Sequence, residues 1–290
     1  MIFPISRFKF NLNFTNLLIS SFKTFFSKNK NEVNKELKKE IKKFYPNAEF
    51  YFFSYGRSSY YYLLKSLRQQ TSKNKIMINS FTLFEMINMI IYAGFEPILI
   101  DLNIKNFQSN FENAIKKYNK DLAAITISHL NGINSDIYNV KKIIKENYKD
   151  IILIEDNAVS FGSQENNKFS GNIGDYTILS FNFMKNITSL TGGVLIENSK
   201  KVNLEESNFY FKNETGFNLF KKILFFCLLV FLNSRIVFFF FFKFIKFSKK
   251  FKINFFLKKY RTDFNLSIRP KIPENYLVRM HPFQKNLLIR

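Results

Sequence analysis

The stretch that decides the fold runs from Ile76 to Asp101 and reads IMINSFTLFEMINMIIYAGFEPILID. It opens with a short apolar run (Ile76–Asn79), continues at helical spacing (Leu83–Ala93), and closes with a second apolar run (Pro97–Asp101). Gly94 stands directly after the last periodic residue, where a glycine commonly ends a helix. The stretch therefore predicts a strand, a helix and a second strand, which is the repeating unit of a parallel sheet.

The same alternation extends over residues 50–198. Uninterrupted apolar runs separated by helices of about three turns are typical of a mostly parallel sheet with helices on both faces, so the sequence predicts an α/β fold. Ligands in such sheets bind at the carboxyl ends of the strands. The further candidate strands are Ala123–Ser128, Ile151–Glu155, Thr177–Phe181 and Gly193–Ile196, and the further candidate helices are Ser58–Gln69, Phe107–Tyr118 and Asp136–Asn147.

The composition limits the kinds of partner that this protein is expected to bind. Of 290 residues, 44 are Lys or Arg and 22 are Asp or Glu, which gives a formal net charge of +22. This charge is typical of proteins that bind nucleic acid or an anionic membrane, but 39 Phe accompany it, and Phe, Lys, Asn and Ile are residues of A/T-rich codons. We therefore expect no specific nucleic-acid partner. One cysteine and two histidines argue against a disulfide framework and a metal site, and charges interrupt every apolar run of the first 27 residues, so we expect a cytoplasmic protein without a signal peptide.

Two segments outside this pattern are apolar and basic. Residues Phe14–Ser27 place apolar side chains on one helical face, and a charged helical stretch (Asn29–Lys43) follows. Residues Glu205–Asp263 are rich in Phe and Lys, and their apolar centre (Ile223–Phe242) contains Asn233, Ser234 and Arg235. Because a charge in mid-bilayer is costly, the sequence favours a shallow helical hairpin on a membrane surface over a span. The alternative is an insertion that packs against the domain or a dimer partner.

These changes of pattern divide the chain into four predicted parts. They are N-terminal helices (1–48), a major domain (49–204), a hydrophobic, basic helical insertion (205–263), and a return segment (264–290).

Candidate site residues fall at strand ends and helix starts. Gly56-Arg57-Ser58 precedes a helix, where free backbone N–H groups and a hydroxyl can hold a phosphate, although ordinary helix capping uses the same residues. Asp156 follows a strand and can either pair with a cationic ligand nitrogen or cap the next turn.

The next strand ends in a second group of candidates. Ser180 and Lys185 lie in SFNFMKN, where aromatic neighbours desolvate the lysine, lower its pKa and make it a candidate nucleophile. The following Gly192-Gly193 pair predicts a close approach of the backbone to another group.

Taken in order, these segments resemble the DegT/DnrJ/EryC1/StrS family of pyridoxal-phosphate-dependent sugar aminotransferases, which have the fold of the aspartate aminotransferase superfamily. GRSSYYYLLKSL (56–67) is similar to the family's phosphate-site helix, and the stretch NSFTLFEMINMIIYAGFEPILIDLN (79–103) to its next strand–helix–strand unit. IEDNAVSFGS (154–163) resembles the segment with the pyridine-binding aspartate, and SFNFMKNITSLTGGVLI (180–196) the segment with the cofactor lysine. SHLNGINSDI (128–137) resembles its His-Leu-x-Gly turn, and VRMHPFQKNLLIR (278–290) its Arg-Met-x-x-x-Gln helix. The resemblance implies that residues 264–290 begin a C-terminal small domain that is incomplete, and we expect this truncation to lower activity because that domain helps close the site over substrate.

The resemblance implies a chemistry and a substrate class. Lys185 would hold pyridoxal 5'-phosphate covalently and act as general base and acid, while Asp156 would keep the pyridine nitrogen protonated. The expected reaction moves an amino group, usually from glutamate, to a nucleotide-linked keto-sugar of cell-surface polysaccharide or secondary metabolism, in a homodimer. The alternative is a non-catalytic relative acting as a membrane-associated scaffold or regulator. The residues implied for the phosphate are Gly56, Arg57, Ser58 and Ser180.

Four positions depart from the family pattern. Val159 stands where a Gln or His usually bonds the cofactor's phenolic oxygen, and Leu83 where an aromatic often stacks on the pyridine ring. Thr191 replaces an acidic residue before the Gly-Gly pair, and Leu277 replaces the asparagine expected from the partner chain, although Asn275 is close. We expect these changes to weaken the peripheral contacts to cofactor and substrate.

Overall fold

The computed structural model describes residues 14–26, 30–103, 105, 109–130, 137–165, 167–204, 211–250, 268–269 and 271–290. The helices are α1 (Phe14–Phe26), α2 (Lys30–Lys42), α3 (Gly56–Arg68), α4 (Phe84–Ala93), α5 (Phe111–Tyr118), α6 (Ile137–Asn147), α7 (Gly216–Leu232), α8 (Arg235–Lys250) and α9 (Pro282–Leu288), with a 3₁₀ turn at Glu274–Tyr276. The strands are β1 (Glu49–Phe53), β2 (Lys75–Asn79), β3 (Glu96–Ile100), β4 (Leu122–Ser128), β5 (Ile152–Asp156), β6 (Gln164–Glu165), β7 (Lys168–Phe169), β8 (Tyr176–Ser180), β9 (Gly193–Glu197), β10 (Lys212–Asn213) and β11 (Val278–Arg279).

The described strands other than β6 and β7 form one sheet in the order β10-β11-β1-β9-β8-β5-β4-β2-β3. The block β3-β2-β4-β5-β8 is parallel throughout, whereas β9 runs antiparallel to both β8 and β1. The prediction of a mostly parallel sheet is confirmed. Strand β1 is missing from the sequence-based prediction because its five residues, EFYFF, match no run of aliphatic side chains.

Alternate residues of each strand point to opposite faces, and both faces are covered. Ile76 and Ile78 of β2 pack with α3 and α4, whereas Met77, between them, packs with α5 and α6. The helices on both faces, predicted from the uninterrupted apolar strands, are therefore confirmed. Gly94 ends α4 in the left-handed conformation (φ 92°), as its position predicted.

One predicted helix begins later than expected. Helix α5 begins at Phe111, while Ser109 is tied to the sheet, because its hydroxyl donates to Ile100 O at 3.3 Å and accepts from Asn79 Nδ2 at 2.8 Å. Residues 106–108, the first residue of the predicted helix Asp136–Asn147, and part of the His-Leu-x-Gly turn lie outside the described residues.

The apolar insertion consists of two helices that meet at an angle of 82°. The break between α7 and α8 falls at Asn233 and Ser234, where the sequence predicted the turn, but the pair is L-shaped and does not fold back as a hairpin. Among the described helices, none alone has the length and apolarity to cross a bilayer, and this bent pair meets that criterion only in combination.

Candidate active site

Three neighbouring parallel strands end in polar side chains at one edge of the sheet. Ser128 ends β4, Asp156 ends β5 and Ser180 ends β8. Ser128 is directly opposite Asp156 in the β4–β5 register, and Asp156 is opposite Ile178 of β8. The carboxyl ends of these strands thus present two hydroxyls and one carboxylate together, where α/β sheets bind ligands.

Asp156 is held by its neighbours in a fixed orientation. Ser128 Oγ donates to Asp156 Oδ2 at 3.2 Å, and the backbone N–H of Ala158 donates to Oδ1 at 3.1 Å. Its carbonyl accepts from the backbone N–H of His129 at 3.1 Å. Both carboxylate oxygens therefore have a donor, and the partly buried side chain remains available to a cationic group in the site.

The buried carboxylate of Glu155, next to Asp156 in β5, holds the end of this strand in place by hydrogen bonds. Glu155 Oε2 lies 2.9 Å from His129 Nε2 and accepts from the backbone N–H of Gly171 at 2.8 Å, while Oε1 accepts from Ile173 N at 2.7 Å and from Gly174 N. Both Glu155 and His129 are almost completely buried. His129 is thus a structural residue that fixes the ends of β4 and β5, and its side chain faces the protein interior.

Lys185 lies in the loop that joins β8 to β9. This loop is closed by backbone hydrogen bonds between Phe181 N and Gly192 O at 2.9 Å and between Phe183 N and Leu190 O at 3.0 Å. Burial lowers the pKa of Lys185 below its ordinary value, the Asp156 carboxylate opposes this shift, and the Arg57 guanidinium adds to it. The lysine amine, the aspartate and the arginine therefore act electrostatically on one another in a partly desolvated site.

The N-terminus of α3 packs against the end of β8. A Cβ on Gly56 would lie 3.1 Å from both Leu179 O and Ser180 Cβ, so a larger residue would require the helix or the strand to shift by a few tenths of an ångström. The N-cap residue Tyr55 makes no side-chain cap to the first turn. The positive end of the helix dipole therefore lies beside the Ser180 hydroxyl, an arrangement suited to an anion.

Arg57 and Ser58 contact the return segment. Arg57 Nη1 donates to Tyr276 Oη at 2.8 Å, and its guanidinium carbon lies 4.8 Å from the centre of that ring. Ser58 Oγ donates to Tyr276 O at 2.5 Å and is buried. The structure thus places Arg57 at the site while the Ser58 hydroxyl bonds a backbone carbonyl, so a phosphate contact from Ser58 remains a prediction.

The position of Thr191 shows what replaces the family's acidic residue. Gln284 Nε2 donates to both Thr191 O (2.5 Å) and Thr191 Oγ1 (2.7 Å), and Lys222 Nζ donates to Thr191 Oγ1 at 3.2 Å. Lys222 also forms an ion pair with the buried Glu214, whose carboxylate accepts from Ser54 Oγ at 3.3 Å. The motif glutamine therefore fastens α9 to the start of β9, and α7 contributes a cation beside the site.

The other departures from the family pattern lie near the surface. Leu83 and Val159 are exposed, Leu277 is partly buried and Asn275 is exposed. Sequence reasoning did not find Ser128, Tyr276, Lys222 or Glu214. Ser128 could have been found as a polar residue at the carboxyl end of a strand, whereas the others reach the site only through long-range packing.

A sequence profile of the DegT/DnrJ/EryC1/StrS aminotransferase family matches residues 20–215, which is 196 of the 290 residues. The chain belongs to this family. The matched range contains the candidate site residues Gly56, Arg57, Ser58, Asp156, Ser180 and Lys185.

Among the proteins similar to this chain, the GDP-perosamine synthase of Vibrio cholerae is 30% identical over 129 residues, which cover 44% of this chain and 35% of that protein. The GDP-perosamine synthase of Escherichia coli O157:H7 is 29% identical, covering 44% of this chain and 34% of that protein. The chain thus matches about a third of the length of these relatives.

A solved structure with the same fold is Helicobacter pylori PseC, an aminotransferase involved in the biosynthesis of pseudoaminic acid. It superimposes with a TM-score of 0.60 at 17% identity, covering 68% of this chain and 53% of that one. At this identity the likeness establishes the fold alone.

Proposed function

We propose that this protein is a pyridoxal-phosphate-dependent aminotransferase that transfers an amino group, from glutamate, to a nucleotide-linked keto-sugar. The observation that carries this proposal is the grouping of Lys185, Asp156 and Arg57 in one electrostatic site at the carboxyl edge of the sheet. A lysine with a lowered pKa beside a carboxylate and an anion-binding helix end is the donor set that this cofactor requires.

The residues present fit the cofactor group by group. The Lys185 amine suits its aldehyde carbon, the Asp156 carboxylate suits a protonated pyridine nitrogen, and the start of α3 with Arg57 and Ser180 suits its phosphate. Because Gly56 has no side chain, the backbone N–H groups at the start of α3 and the Ser180 hydroxyl lie close together, and a Cβ at position 56 would crowd the space between them.

When bound, the cofactor supplies an electron-accepting ring for the carbon that loses a proton. Asp156 would hold a proton on the ring nitrogen, and Ser128 and the Ala158 N–H keep its carboxylate oriented. Lys185 Nζ, whose pKa is lowered by burial, would attach the cofactor and would move a proton at the reacting carbon.

The substrate class and assembly follow from the family. The matched relatives include GDP-perosamine synthases, which supports a nucleotide-sugar acceptor in cell-surface polysaccharide or secondary-metabolite sugar biosynthesis. We propose a homodimer in the cytoplasm at the inner membrane face, with residues 49–204 holding the cofactor, 205–263 as the insertion, and 1–48 and 264–290 flanking them.

The experiment that tests the function is cofactor trapping. Protein mixed with pyridoxal phosphate should develop a visible absorbance band, and borohydride should fix the cofactor mass on the peptide that contains Lys185. The Lys185→Ala variant should lose both signals while its circular dichroism is unchanged. Folded protein that gains no band, or that is labelled elsewhere, would favour the scaffold or regulatory alternative.

A second measurement separates cofactor binding from transamination. Protein carrying the cofactor should convert glutamate to 2-oxoglutarate in a single half-reaction without any sugar, because that step needs only Lys185, Asp156 and the bound ring. If the cofactor is trapped on Lys185 but glutamate is not converted, the cofactor site is correct and the aminotransferase assignment is wrong.

A further inference from the structure

Helix α7 is apolar on its outer face as well as on its inner face. A helix packed on a domain ordinarily turns a polar face to solvent. On α7, by contrast, Phe217, Phe220, Leu224 and Phe231 are each 60% or more exposed. Burial within the described chain therefore does not account for the apolar outer face of α7.

The inner face of α7 is firmly docked. Leu219 and Phe226, two turns apart, are buried in a cluster with Leu17 of α1, Phe283 of α9 and Leu190 of the loop that joins β8 to β9. Thr215 caps the helix by accepting from Asn218 N at 3.2 Å. The outer side chains are thus held in place at the surface by a helix that the domain itself fixes.

Exposed apolar side chains continue on both neighbours of α7. Helix α1, which shares the cluster with α7, exposes Phe22 and Phe25, and α8 exposes Ile236 and Phe240. We refer to the exposed apolar side chains of α1, α7 and α8 as the aromatic surface. An exposed apolar area of this kind marks an interaction site.

The charges carried by α7 and α8 have one sign. From Gly216 to Lys250 the sequence contains seven Lys or Arg and no Asp or Glu, and one of the seven, Lys222, is paired with Glu214 at the site. Lys221 Nζ lies 4.3 Å from the ring centre of Phe217, and Lys243 Nζ lies 4.4 Å from that of Phe239. Positive charges therefore lie directly against phenylalanine rings, a combination typical of helices that meet lipid phosphates.

The bend between α7 and α8 is compatible with a flat partner. Two helix axes that meet at a corner share one plane, so both helices can run parallel to a membrane surface. Arg235 at the corner is exposed, and a charge there is compatible with the phosphate level and costly in the hydrocarbon.

We propose that the aromatic surface docks on an anionic lipid bilayer, with its phenylalanines among the upper acyl chains and its lysines at the phosphates. A second copy of the chain fits less well. In a two-fold contact the same patch meets itself, so an all-basic rim would face an all-basic rim.

A tryptophan probe tests this docking, because the chain contains no Trp and so has no background signal. The Phe231→Trp variant should shift its emission to the blue and be quenched by brominated lipid when anionic phosphatidylglycerol vesicles are added. The matched control is Leu99→Trp, an apolar position on β3 that is 50% exposed against 61% for Phe231, and it should not respond. Emission from position 231 that stays unchanged with these vesicles would overturn the proposal.

The lysines are tested by their dependence on lipid charge. Lys221→Gln with Lys243→Gln and Lys246→Gln should weaken binding to anionic vesicles at least tenfold and remove most of its salt dependence. Analytical sedimentation without lipid measures the oligomeric state and so tests whether a second copy of the chain covers the aromatic surface instead. If Phe217→Ser and Phe231→Ser convert a dimer to a monomer while vesicle binding is absent in the parent protein, the surface is a self-association face and the lipid proposal is wrong.

Discussion

The backbone of Gly193 lies against the backbone of Tyr55. A Cβ on Gly193 would overlap the carbonyl group of Tyr55 and the amide nitrogen of Gly56. The first residue of β9 is therefore in direct backbone contact with the N-terminus of α3. This contact explains the Gly-Gly pair, from which the sequence predicted a close approach of the backbone to another group.

Replacing Gly193 should displace the start of α3. Gly193→Ala should lower the free energy of unfolding by about 1–3 kcal/mol, because the overlap is with backbone that cannot move aside. Denaturant unfolding measures the loss. Gly216→Ala is the matched control, since a Cβ there meets nothing within 4 Å and α7 gains a better helix former. Equal stability of the two variants would contradict the contact.

The two charges around Lys185 should shift its titration in opposite directions. Asp156 raises and Arg57 lowers the pKa of Lys185, so Asp156→Asn should lower the pKa of this lysine further and Arg57→Gln should raise it. The measurement is the pH dependence of Lys185 acylation in cofactor-free protein, followed by peptide mass spectrometry. Lys65, on the far part of α3, serves as the internal control, and shifts of the same sign in both variants would rule out the arrangement.

Ser128 should matter through the orientation of Asp156. Ser128→Ala removes the donor 3.2 Å from Asp156 Oδ2, and the loss of a net hydrogen bond of about 1 kcal/mol corresponds to roughly fivefold weaker cofactor binding. Titration of the visible band with pyridoxal phosphate measures the affinity. Ser66→Ala, which removes a hydroxyl that bonds within α3, should leave it unchanged.

Asp175 should control stability in acid. Burial opposes ionisation of this side chain, but Lys141 at 2.8 Å, the backbone N–H of Leu153 at 2.9 Å and Lys201 at 2.9 Å together lower its pKa. Because the native pKa lies below the unfolded value, Asp175 stabilises the fold above about pH 4, and this contribution is lost as pH falls through the native pKa.

The corresponding variant separates this effect from general acid denaturation. Asp175→Asn should cost about 2 kcal/mol at neutral pH and flatten the decline of stability below pH 4, since two lysines lose their carboxylate. Unfolding midpoints from pH 3 to 7 provide the readout. Asp121→Asn, an exposed partner of Lys75, should follow the parent protein.

Much of the site could be predicted because its key residues are close to strand ends. Asp156 and Lys185 each follow an apolar run, and such runs mark the carboxyl edge of the sheet without knowledge of strand order. Tyr276 could not be predicted as the partner of Arg57 and Ser58, because the two segments are more than 200 residues apart and the local sequence around either one does not indicate which distant segment packs against it.

The sequence by itself determined the alternation of strands and helices, the end of α4 at Gly94, and the break between α7 and α8, because periodicity and capping depend on neighbouring residues. It also placed the two candidate catalytic residues, Asp156 and Lys185, after apolar strands. Only the tertiary structure decided that β1 and β9 are antiparallel, that Gly193 carries the start of α3, that the Ser58 hydroxyl bonds the Tyr276 carbonyl, and that Thr191 binds Gln284. Each of these pairs residues distant in the chain, and their contacts form only when the buried core brings the elements together.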